Sequence, residues 1–404
     1  MQPAAGRVGS ARSEYGFGKR GARGILVIIG LALAISLGVL LLLGGSASGA
    51  VTLPSGFAKS QLTDGLRSPT TMAFAPDGRL FVAEQGGTLR IVKNGRLLQT
   101  PFLNISARVD ANGERGLLGV EFDPDFVNNG YVYVYYTQKV IGTVPAHNRV
   151  VRFTADGDRA LMGTERPLLR LNNLSERTNH NGGAIHFGKD GKLYIAVGEN
   201  ANPENAQSSK NLLGKMLRIS ADGSIPEDNP YYSNDNFVGQ DKAIWAMGLR
   251  NPFSFAVQPG TGRIFINDVG SNERLRETPF EEINRGVKGA NYGWPKYEGP
   301  EADPDFRGPV YAYPHNDPES GYAITGGAFY NPQTRTFPPT YVGDYFFSDA
   351  PHGWIRRYDS ASDQVMGFAT GIPGPVDLDV GREGNLYVLA RGTGSVERIR
   401  YTGG

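Results

Sequence analysis

Three short stretches of this chain hold side chains suited to chemistry on polar carbon–oxygen groups. The first is Asn179-His-Asn-Gly-Gly183, a run that occurs once. Its histidine, His180, is a candidate base, and paired glycines let a backbone pass close to something bulky. The bland alternative is a loop histidine that only satisfies local hydrogen bonds. The second stretch is Gly248-Leu-Arg-Asn-Pro252. Arg250 is always cationic and offers a planar fork to carboxylates or polarised carbonyls, unless it is simply a surface arginine beside a turn proline. The third comprises Asp268-Val-Gly-Ser-Asn-Glu273, Glu281-Glu-Ile-Asn284 and Gly289-Ala-Asn-Tyr-Gly-Trp-Pro295. Carboxylates, amides and glycine carbonyls form a hard-oxygen set, suited to calcium rather than to zinc or copper. The spacing matches no EF-hand loop, and a solvated acidic loop explains it equally well. Among the other histidines, His186 reads as a packed strand residue, and His147, His315 and His352 read as surface or rim residues in polar loops. With no paired-histidine spacing and no cysteine, a zinc site is not expected.

Positioning such groups requires a scaffold, and the scaffold is written as a repeat. The stretch Lys189-Asp-Gly-Lys-Leu-Tyr-Ile-Ala-Val197 is a tight turn running into a short apolar strand. The same phrase returns at Ser68–Ala83, Gly116–Tyr136, Asn251–Ile266, Gly326–Phe347 and Gly374–Val388, making six copies. Each reads as an inner strand, a turn, a strand, a turn and a strand. Many short strands at blade-sized intervals imply an all-β fold, a six-bladed β-propeller. Strands apolar on both faces, such as Leu80–Ala83, fit sheets sandwiched between neighbouring blades. The last strand, near Ser395–Tyr401, is expected beside the first to close the ring. The insertions at 200–211 and 222–241 are expected to gather on one face, as loops that carry function.

Charge and the leader bound the rest. Residues 1–23 carry a local +4, so the near-zero total hides −3 on the remainder, which gives no case for nucleic acid. Residues 24–45 are apolar for about the length that spans a bilayer, behind a basic leader expected to stay cytoplasmic. Ser48-Gly-Ala50 resembles a cleavage site, so a removed signal sequence is the alternative to a single N-terminal transmembrane helix. The expected order is a basic leader (1–23), an anchor or signal (24–45), a linker (46–52) and the propeller (53–404). Either way the propeller would lie outside the cytoplasm, at the cell membrane or secreted.

Four phrases in order resemble a known family. They are Glu114-Arg-Gly-Leu-Leu-Gly-Val-Glu-Phe-Asp-Pro-Asp-Phe126, Asn179-His-Asn-Gly-Gly183, Gly248-Leu-Arg-Asn-Pro252 and Gly289-Ala-Asn-Tyr-Gly-Trp-Pro295. From about Leu53 to Tyr401 the chain resembles the propeller-type glucose/sorbosone dehydrogenases, which use pyrroloquinoline quinone (PQQ). The resemblance implies oxidation of the C1 hydroxyl of an aldose to a lactone, with PQQ and calcium as cofactors and an unidentified electron acceptor. It implies His180 as general base, Glu199 as the acid that orients it, where aspartate is usual, and Arg250 as stabiliser of charge on the quinone. It further implies cofactor contacts at Glu114, His180, Arg250 and Asn251, and calcium on the carbonyls of Gly270 and Ser271.

Departures from the pattern are specific. The family's glutamine is Glu114 here, and its Gly-Pro calcium pair is Gly270-Ser271. Where the better-known members place a lysine and two arginines on the PQQ carboxylates, Asp349–Gly353 and Gly374–Asp377 offer none. Arg276, Arg285 and Arg356 are the cations left to consider from other blades. Asp268-Val-Gly, Glu281-Glu-Ile-Asn284 and Thr325-Gly-Gly327 look more like a divergent branch that includes hedgehog-interacting-protein-like propellers. The rival readings are a non-catalytic propeller that binds a glycan or a protein and, behind it, a calcium-dependent lactonase using Glu114 and Asp268.

Overall fold

The computed structural model describes residues 50–272, 277–315 and 321–403. The leader and the apolar span at 24–45 lie outside the described residues. Among those described, no helix is long and apolar enough to cross a membrane.

The fold is a six-bladed β-propeller of antiparallel sheets with four or five strands each. The inner strands are Pro69–Phe74, Leu117–Phe122, Ile185–Phe187, Pro252–Val257, Ile324–Phe329 and Pro375–Val380. In five blades the neighbouring strand is buried at every residue: Leu80–Glu84, Leu193–Val197, Ile264–Asp268, Tyr345–Asp349 and Leu386–Ala390. A strand covered on both faces cannot alternate polar with apolar, which is why these runs are nearly continuous in apolar residues. The repeat read from sequence omitted one element per blade. An outermost strand, such as Tyr311–Pro314 in the fourth blade or Gln364–Ala369 in the fifth, completes each sheet. Its partly exposed residues carry no continuous apolar signal.

The Asp-Gly turns are as read. Asp190 Oδ1 accepts the Lys192 N–H at 3.1 Å and Gly191 takes φ +68°, the left-handed position that glycine adopts without steric cost.

Six apolar clusters hold the ring together, and each joins two neighbouring blades. Phe81 of the first blade meets Phe122 of the second, for example, and Phe265 of the fourth meets Tyr345 of the fifth. Burying each such ring is worth about 1.5–3 kcal/mol. The ring closes without a covalent bond. Phe57–Thr63, from the start of the propeller, pairs antiparallel with Ser395–Tyr401 and becomes the outer strand of the sixth blade. Phe57 then packs on Phe337, Phe368 and Tyr401.

Strand polarity puts the two long insertions on opposite faces, not on one. The chain leaves Leu193–Val197 at one end and returns through Lys215–Ile219 with Val197 opposite Lys215. The segment 200–211 therefore lies at the end of the ring that holds His180, and 222–241 lies at the other.

Candidate active site

The turn before each inner strand and the turn after each second strand fall at the same end of the ring. That rule brings together loops far apart in sequence: 113–116, 178–184, 198–200, 248–251 and 268–271. Three of them, 113–116, 178–184 and 248–251, contribute to the wall of a cavity open to solvent, while Arg250, Asp268, Val269 and Gly270 line a second, smaller pocket. Glu114, Gly182 and Asn251 line the larger cavity, which deepens between the inner strands to His186 and Phe255.

His180 is held in an unusual conformation. Its φ is +57°, as is that of Asn200, a left-handed geometry that costs a residue other than glycine about 1–3 kcal/mol. Three features sustain it. The His180 N–H donates to Glu114 Oε2 at 2.7 Å, its carbonyl accepts from Asn200 N at 3.0 Å, and Gly198 lies so close that a Cβ there would sit 2.3 Å from the same carbonyl. The glycines after His180 serve the scaffold: a Cβ on Gly182 would meet the Ala196 carbonyl at 2.6 Å and one on Gly183 would meet Leu118 at 2.5 Å. The bulky neighbour expected beside them is the protein's own strand.

The imidazole Nδ1 lies 2.5 Å from Glu199 Oε1, and both residues are buried. Burial, and after it the charge of Arg250, drives the His180 imidazole well below the ordinary histidine value, so it stays neutral. Burial raises Glu199 above the ordinary carboxylate value, against the pull of Arg250. With Nδ1 engaged, Nε2 is the nitrogen left to accept a proton.

Arg250 and Asn251 are fixed by a single carboxylate. Asp268 Oδ2 accepts the Arg250 N–H at 3.0 Å, and Oδ1 accepts that of Asn251 at 2.7 Å. The Arg250 guanidinium donates to the Val269 carbonyl at 3.0 Å and lies 5.6 Å from the Trp294 ring centroid. No carboxylate pairs with it among the described residues. Its Nε and Glu199 Oε2 are both buried without a hydrogen-bond partner there. Such atoms in a native fold call for a ligand or ordered water. Asn251 Oδ1 accepts the Gly182 N–H at 3.1 Å, tying the histidine loop to the arginine loop.

The acidic third stretch is mostly scaffold. Asp268 spends both oxygens on backbone N–H groups, and Glu281 accepts from Gly270 N, Ile324 N and His315 Nε2. Gly270 and Ser271 are buried, and their N–H groups donate to Glu281 and Glu298. Among the described residues neither of their carbonyls accepts a hydrogen bond. A buried carbonyl without a donor is a suitable ligand for a hard cation, so the pair fits calcium. No cage of three or more acidic or histidine side chains converges among the described residues.

The other histidines differ from expectation. His186 is not packed away: it faces the cavity, pairs with Glu121 Oε2 at 2.8 Å and meets the Phe255 ring edge-on. His147 and His315 are buried, not rim residues, and His315 lies 2.6 Å from Glu281. His352 stands 3.3 Å from buried Asp349. His186 and His315 take carboxylates from distant elements, which the local sequence does not reveal, whereas His147 and His352 find partners in Pro145 and Asp349 close by in the chain. Of the cations considered for carboxylates, Arg276 lies outside the described residues. Arg285 pairs with Phe265 at the far end of its blade, and Arg356 lies over Trp354, 4.2 Å from its centroid.

Two residues at the cavity were not foreseen. Gln85 and Arg391 immediately follow the second strands of the first and sixth blades. The signal was available in the repeat, since Glu199 and Val269 follow the second strands of the third and fourth blades.

Comparison with known proteins agrees with this architecture. The family model described as Glucose / Sorbosone dehydrogenase matches residues 66–397. The chain is 32% identical to aldose sugar dehydrogenase YliI of Escherichia coli over 288 residues, covering 67% of this chain and 72% of that one. It is 30% identical to quinoprotein glucose dehydrogenase B of Acinetobacter calcoaceticus over 275 residues, 62% of this chain and 55% of the other. The solved apo form of the soluble aldose sugar dehydrogenase from Escherichia coli superposes with a TM-score of 0.72 at 28% identity, covering 85% of this chain and 99% of that one. Hedgehog-interacting protein of Mus musculus also matches, at 32% over 259 residues, 57% of this chain and 36% of that protein. The fold, the ordered motifs and the matched span together make the chain a member of the glucose/sorbosone dehydrogenase family.

Proposed function

We propose that the protein oxidises the C1 hydroxyl of aldose sugars to lactones, using PQQ with calcium. The observation that carries this reading is the His180–Arg250 arrangement. A buried imidazole held neutral, with Nδ1 on Glu199, stands beside an arginine that has no carboxylate partner among the described residues. The similarity to an aldose sugar dehydrogenase and a quinoprotein glucose dehydrogenase supports the substrate and cofactor class.

When bound, PQQ supplies the hydride acceptor and calcium polarises it, because no side chain accepts a hydride. The chain's own residues do the rest. His180 Nε2 takes the C1 hydroxyl proton as the C1 hydride departs, and the imidazolium that forms is stabilised by Glu199. Arg250, fixed through Asp268 and Val269, presents positive charge where negative charge develops, in a site where it need not reorganise. Glu114 and Asn251 border the cofactor's place, and the Gly270 and Ser271 carbonyls would hold the cation. In this reading residues 24–45 export the propeller as a single-pass anchor or a removed signal, which membrane fractionation of the expressed protein tests.

The deciding experiment titrates the metal-stripped protein with PQQ, with and without calcium, following cofactor absorbance before sugars and an artificial acceptor are added. Calcium-dependent binding with sugar-driven reduction is expected. Absence of binding at high micromolar PQQ would overturn the reading in favour of a glycan- or protein-binding propeller. Turnover of lactones without PQQ would favour the hydrolase instead.

A further inference from the structure

One arginine lines the cavity, and no carboxylate pairs with it among the described residues. Arg391 leaves the second strand of the sixth blade and lines the cavity wall. In a six-membered ring the sixth and first blades lie across from the third and fourth, so Arg391 stands on the far side from Asn251 and Gly182. Its Nη1 donates to the Ser68 and Pro69 carbonyls at 2.8 and 2.9 Å, and its Nη2 donates to Gln85 Oε1 at 2.5 Å. Gln85 in turn donates to the Gly113 and Arg115 carbonyls at 2.7 and 2.8 Å, which ties Arg391 to the loop bearing Glu114. The fork is thus held in place by groups with no negative charge. Its Nε–H and the remaining N–H on Nη2 have no protein partner among the described residues.

Two other enclosed arginines are treated differently. Arg115 meets Asp110 at 2.7 Å, and Arg218 meets Asp190 and Asp228, both at 2.8 Å. Arg391 has no carboxylate oxygen in ion-pair range among the described residues, although burial already pushes its guanidinium below the ordinary arginine value. Two carboxylates share the cavity, and both are engaged elsewhere. Asp377 Oδ2 accepts from Thr71 Oγ1 and Met72 N and its Oδ1 from Leu378 N, while Glu114 Oε2 accepts from His180 N. A half-buried guanidinium with open N–H groups and no counter-charge is a preformed receptor for a carboxylate.

We propose that Arg391 receives a carboxylate of PQQ, supplying from the turn after the sixth blade's second strand the counter-charge absent from 349–353 and 374–377. The inference rests on the PQQ reading and adds the residue that anchors the cofactor's far edge.

The test is a binding cycle on the whole metal-loaded protein, parent against Arg391→Gln, titrated with PQQ and with fully esterified PQQ and read by cofactor absorbance. The expected result is a loss of PQQ affinity of roughly ten- to a hundredfold in Arg391→Gln, with little change toward the ester. Arg391→Lys, which keeps the charge, should recover part of the loss. Equal losses toward acid and ester would mean that Arg391 only braces Ser68 and Gln85, and would overturn the proposal. Unchanged PQQ affinity in Arg391→Gln would overturn it while leaving the dehydrogenase reading intact. Failure of the parent to bind PQQ would overturn both.

Discussion

The two sides of the cavity were assembled in different ways. On the side of the third and fourth blades, His180, Glu199, Arg250 and Asn251 come from contiguous phrases, each a few residues from the strand that carries it. The histidine and arginine loops meet through local partners: Asn251 accepts from Gly182, and Glu199 N donates to the Arg250 carbonyl. On the side of the sixth and first blades, Arg391, Gln85 and Asp377 come from opposite ends of the propeller and meet only because the ring closes. Arg391 binds carbonyls at Ser68 and Pro69, more than three hundred residues away in the chain. One side is a motif, and the other is a product of closure. A motif side should fail chemically when altered, whereas a closure side should fail in ligand affinity.

The largest expected effect is on the motif side. His180→Ala should lower kcat by about 10²–10⁴-fold while leaving the PQQ titration largely intact. Turnover equal to the parent's would remove His180 as base and break the comparison outright. Arg250→Lys comes next. It keeps the charge but loses the planar fork, so kcat should fall by about 10²-fold with little change in melting temperature. A large loss of stability with kcat preserved would make Arg250 a brace for the Val269 turn.

The smallest effect is titration, which involves carboxylates on both sides. Burial raises Asp377 to about 6 and Asp379 to about 7 on the closure side, and Asp268 to about 7 and Glu282 to about 8 in the fourth blade. An unfolded carboxylate titrates near about 4, so the folded state holds these protons more tightly. Their stabilising contribution is complete below the unfolded value and is lost as pH rises through the folded values, from about 6 to about 8. The metal-free protein should therefore denature at lower urea at about pH 8.5 than at about pH 5.5. Asp377→Asn should flatten the lower part of that fall. Calcium should oppose the loss only in the fourth blade, beside Gly270 and Ser271. A stability that rises across this window would show that these carboxylates do not control it.

Much of the fold was legible because each blade repeats a turn and an apolar strand, and a strand buried on both faces leaves an unambiguous run. The outermost strands were less legible because their exposed residues carry no such pattern. The site divides along the same line. His180 and Arg250 were marked by the glycines and proline of their phrases, and Glu199 was assigned through the family resemblance. His186 was misread because an apolar run does not say which residue faces a channel. Asp268 looked like a metal ligand because sequence does not reveal that two backbone N–H groups consume its oxygens.

By itself, then, the sequence determined the number of blades and marked the loops of His180 and Arg250. These depend on local periodicity and on backbone geometry within a few residues. Only the tertiary structure decided which face each insertion joins and which carboxylates are spent on the backbone. It alone placed Arg391 across from Arg250, because such pairings arise where the curvature of the ring brings distant turns together.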